Sequence, residues 1–86
     1  MPPKLVFLLV GPLLPADDPV SMGLRGRVRR TLLFQGADDL GRALESEAGP
    51  LAVEGVPLGY EAGLERLATG MGWQAVTVSS PLAAAN

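Results

Sequence analysis

The chain has 86 residues, a formal net charge of −2, and neither histidine nor cysteine. Those absences remove the usual proton shuttle near neutral pH, the thiolate nucleophile and the soft ligands of zinc, iron or copper sites. A charge so close to zero singles out no nucleic acid, membrane or acidic substrate from bulk electrostatics.

A chain of this length makes one domain and buries only about 60–65% of its unfolded surface. No disulfide can supplement the core, so a second copy of the chain is the expected source of further buried area. Six arginines against one lysine give a thermophile-like composition. Lys4 and the apolar run after it resemble a secretory leader, but Leu14-Pro15-Ala16 lacks the small residue that precedes a cleavage site. The expected location is cytoplasmic, with no membrane segment, because the run is too short and too interrupted to span a bilayer.

Leu5–Val10 is a continuous apolar hexamer ended by Gly11-Pro12, the pattern of a strand buried on both faces at the centre of a sheet. Residues 11–23 carry Pro12, Pro15, Pro19, Gly11 and Gly23 and read as a long loop. In residues 24–34, Leu24, Gly26, Val28, Leu32 and Phe34 share one parity, and Arg25, Arg27, Arg29 and Thr31 the other. That alternation predicts a second strand, although Leu24, Val28 and Leu32 also fit helical spacing.

Asp38 or Asp39 then offers a helix cap, and Leu40, Ala43, Leu44 and Ala48 line one helical face up to the stop at Gly49-Pro50. Leu51–Val56 is a short strand. Pro57 suits the first position of a second helix, whose buried face is Tyr60, Leu64, Leu67, Ala68 and Met71. Trp73–Ser79 alternates as a last strand. The reading is a single small α/β domain over 1–80, with a fraying tail at 81–86. It predicts a two-layer, four-stranded mixed sheet in the order ββαβαβ, with both helices on one face.

The stretch from Val53-Glu54-Gly55-Val56-Pro57 through Tyr60-Glu61-Ala62, Leu64, Leu67 and Gly72 to Val76-Thr77-Val78 resembles two families. It is similar to the last strand–helix–strand of the ribosomal stalk protein's C-terminal domain and to half of a peptidoglycan-binding septal repeat domain. The resemblance implies a strand–helix–strand unit. It carries no functional residue, since the lysine-rich helix surface with which the stalk domain docks translation factors is missing.

With both helices on one face, the opposite face is expected to carry Arg25, Arg27, Arg29, Thr31, Trp73, Ala75 and Thr77, with Val76 and Val78 turned to the helices. Such a face suits a non-enzymatic interaction module that forms a homodimer and binds another protein, with Trp73 in the two-fold contact. The alternative is a nucleic-acid-binding domain using Arg25, Arg27, Arg29, Arg30 and Trp73 for phosphate contact and base stacking. A third reading is a small enzyme or ligand-binding subunit completed across a dimer, with Asp17 and Asp18 in its site.

No catalytic constellation, metal site or cofactor is expected. The doublets Asp17-Asp18 and Asp38-Asp39 are explained by a turn and a helix cap. Ser21, Ser79 and Ser80 have no histidine to activate them. No glycine-rich phosphate loop occurs.

Overall fold

A computed structural model describes residues 4–79, in which strand and helix alternate throughout. The elements are β1 (Leu5–Val10), α1 (Pro19–Arg25), β2 (Arg30–Leu33), α2 (Ala37–Ser46), β3 (Leu51–Val56), α3 (Glu61–Gly70) and β4 (Gln74–Ser79). The strands form one sheet in the order β2-β3-β1-β4, and every ladder in it is parallel. The α/β class and the four strands stand as expected. The mixed sheet and the ββαβαβ order do not. The segment 81–86, expected to fray, lies outside the described residues.

The difference traces to α1, inside what reads as loop and second strand. Asp18 takes an extended conformation, and its Oδ2 accepts the N–H of Val20 at 2.9 Å and of Ser21 at 3.1 Å. Pro19 follows in the first turn, where its fixed φ suits a helix and its missing N–H costs nothing. An aspartate before a proline is thus a helix start that the surrounding prolines and glycines conceal. The helix returns the chain to the amino end of the sheet, so β2 runs parallel to β1 rather than against it. Only Arg30–Leu33 of the expected strand is strand. Asp18→Ala should cost about 1 kcal/mol and speed amide exchange at Val20 and Ser21. Unchanged exchange there would remove the cap from the argument.

The core lies on one side of the sheet. Val6, Leu8 and Val10 of β1 and Leu51, Val53 and Val56 of β3 pack with Leu40 and Leu44 of α2 and Leu64 and Ala68 of α3. Both helices therefore cover the same face, as the right-handed crossover rule requires for β2–β3 and β3–β4. The pairing Leu8↔Val53 gives way to Val10↔Val56, so β3 holds one extra residue there. Gly55, at φ +75°, absorbs it and returns Val56 to the core face.

The helix ends depart in detail from expectation. Gly36 sits at the N-cap of α2, and Asp38 and Asp39 lie in its first turn, without side-chain capping bonds. Ala48 falls beyond the helix and is exposed. Pro57 belongs to a turn closed by the Tyr60 N–H to its carbonyl, and α3 begins only at Glu61. Tyr60 is correspondingly exposed rather than buried.

Candidate interaction surface

Register decides which side chains reach the second face of the sheet. Thr31, Ala52, Phe7 and Val76 are in line across the four strands; two residues further on, Leu33 pairs with Glu54 and Leu9 with Val78, on either side of the bulge in β3. These rows alternate with the core rows and point away from α2 and α3. The crossover rule carries the β1–β2 connection, with α1, over this second face. Leu13 of that connection stands beside Leu33 and Gly55. Cover is uneven: Ala52 and Leu9 are 2% and 5% exposed, whereas Phe7, Val76 and Val78 are half-buried. An apolar strip over β1 and β4 is left open.

The expected site residues fall elsewhere. Trp73 is 3% exposed in the core, and its indole Nε1 donates to the Leu44 carbonyl at 3.1 Å. Leu44 lies in the last turn of α2, whose carbonyls lack intrahelical partners, so the indole finishes that helix. Thr77 also points to the helices, where its hydroxyl donates to Glu65 of α3. The assignment of β4 is inverted: Trp73, Ala75 and Thr77 face the helices, and Val76 and Val78 the open side. Alternation alone could not choose between the parities. Small residues at 75 and 77 let α3 approach the sheet, and a buried tryptophan fills the space beyond the ends of the strand.

The arginines do not form one row. Arg25 ends α1, Arg27 and Arg29 lie in the connection to β2, and Arg30 opens the strand. All four are exposed. Arg30 pairs with Glu47 at 2.9 Å, and among the described residues the other three form no ion pair. With Trp73 buried, this basic segment has no stacking residue from that position.

The carboxyl end of a parallel sheet is where α/β domains usually bind ligands. Here it holds a cleft of about 210 Å³ between β2 and α2, lined by Leu32, Phe34, Asp39, Leu40 and Ala43 among others. That is below the roughly 300–1,000 Å³ of ordinary ligand sites. Three carboxylates at this end already have partners: Asp18 caps α1, Asp39 pairs with Arg42, and Glu61 accepts the Gly59 N–H at 2.9 Å. Ser21 is buried, and its hydroxyl has no hydrogen-bond partner among the described residues. No group of three or more metal-ligating carboxylates converges among them, and no helix there is long and apolar enough to cross a membrane.

The fold and surface together define a small parallel α/β domain with an apolar strip beside one sheet edge. The chain matches no known family model, no curated protein and no solved structure.

Proposed function

We propose that this chain is a non-catalytic interaction module that associates with its own copies, and with other protein, through the uncovered side of its sheet. The observation that carries the reading is the half-buried strip of Phe7, Val76 and Val78, beside the buried Leu9 and Ala52 on the same face. Apolar surface left open on so small a domain favours a protein partner, because burying it adds to a thin stability margin. The composition supports the same reading, since general acid–base and thiolate chemistry lack their usual side chains.

Light scattering across micromolar to submillimolar concentrations should report twice the monomer mass. Val76→Lys should shift the chain towards monomer while leaving its circular dichroism unchanged, because the residue lies outside the core cluster. A monomer at every concentration would remove the self-association from this reading.

A further inference from the structure

The two edges of the sheet differ in how they are guarded. β2 is four residues long and begins with an arginine paired to Glu47. β4 is six residues long, Gln74-Ala75-Val76-Thr77-Val78-Ser79, with no charge, proline or glycine. Edge strands are normally protected by charge, proline, a bulge or shortness, and β4 has none of these. The Gln74 N–H bonds to the Lys4 carbonyl, so Gln74, Val76 and Val78 turn their backbone groups to β1. Those of Ala75, Thr77 and Ser79 face outward from the sheet.

We infer that two copies of the chain join through antiparallel pairing of their β4 edges, about a two-fold axis at Thr77. The inference rests on the self-association proposed above and moves its contact to the β4 edge of that side of the sheet, where Val76 and Val78 meet their counterparts, while the rest of the strip stays open to other protein. Centring on Thr77 makes Thr77–Thr77 and Ala75–Ser79 hydrogen-bonded pairs, using the outward backbone groups. Val76 of each copy then stands opposite Val78 of the other, on the open face. One continuous sheet results, and its apolar strip is doubled.

Helix α3 supplies the argument for a second copy rather than an unrelated strand. It packs over β4 and β1, so pairing the edges brings the two α3 helices side by side, about 10 Å apart. Glu65 touches Thr77, which places the axis at the level of Glu65 and Arg66, in the middle of Glu61–Gly70. Across that axis Glu65 meets Arg66 of the other copy, and Arg66 meets Glu65. Ala62 likewise meets Thr69, both of them exposed and small enough for close helix approach. These residues line a shallow groove along this flank of α3. Its charge is complementary to itself under two-fold symmetry, the condition an isologous interface must meet.

The chain has no cysteine, so single-cysteine variants report pairing without background. Opposed residues of a hydrogen-bonded antiparallel pair have Cα atoms about 5.5 Å apart, within disulfide reach. Thr77→Cys should therefore cross-link to a covalent dimer under mild oxidation, and Thr31→Cys on the β2 edge should not. Arg66→Glu, on an exposed position outside the core, should weaken the dimer at least tenfold by placing four carboxylates at the axis. A dimer that cross-links through Thr31→Cys, or one indifferent to Arg66→Glu, overturns the β4 assignment but leaves self-association standing. A monomer at all concentrations overturns both.

Discussion

Trp73→Ala should leave the domain largely unfolded at room temperature. The substitution deletes a fully packed indole and orphans the Leu44 carbonyl in the last turn of α2. Large-to-small aromatic changes in cores cost about 3–5 kcal/mol, comparable with the whole stability of a domain this small. Trp73→Phe keeps most of the volume and removes the donor, so it should cost less, about 1–3 kcal/mol. Urea melts followed by circular dichroism measure both. A loss under about 1 kcal/mol for Trp73→Ala would show that the indole is not the link between α2 and the sheet.

The second large effect is on α3. Leu64→Ala should cost about 2–5 kcal/mol, because Leu64 is 3% exposed and belongs to the core cluster. Leu67 occupies the neighbouring turn and is only half-buried. Leu67→Ala should cost less than half as much, since fewer of its atoms leave water on folding. Equal losses would mean that the helix is rotated about its axis relative to the arrangement described.

Much of the fold is legible in the sequence alone. The hexamer Leu5–Val10 announced a central strand, and Leu8, Leu9 and Val10 are buried in succession, as a strand covered on both faces requires. Leu51–Val56 and the helices carrying Leu40, Leu44 and Leu64 were equally plain, and both helices share one face. Periodicity read over several residues survives uncertainty at any one of them.

What failed did so where a single residue type had two local meanings. Asp18-Pro19 reads as a turn or as a helix start, and proline-rich flanks favour the turn. The structure uses it to begin α1. The alternating arginines of 25–29 suggested one face of a strand, yet no ladder forms there. Phe7, Val76 and Val78 are not legible as a surface, and Val76 and Val78 read as turned to the helices, because a wholly apolar β1 gives no parity and β4 carries apolar residues on both.

The amino-acid sequence by itself determined the number of strands, the two core helices and the absence of histidine and thiol chemistry, since each depends on composition or local period. Tertiary structure alone decided strand direction, the inward turn of Trp73 and Thr77, and which edge stands unguarded. Those choices depend on what lies across the sheet. A crossover helix sets direction, close approach by α3 selects small side chains beneath it, and an edge exists only once strand order is known.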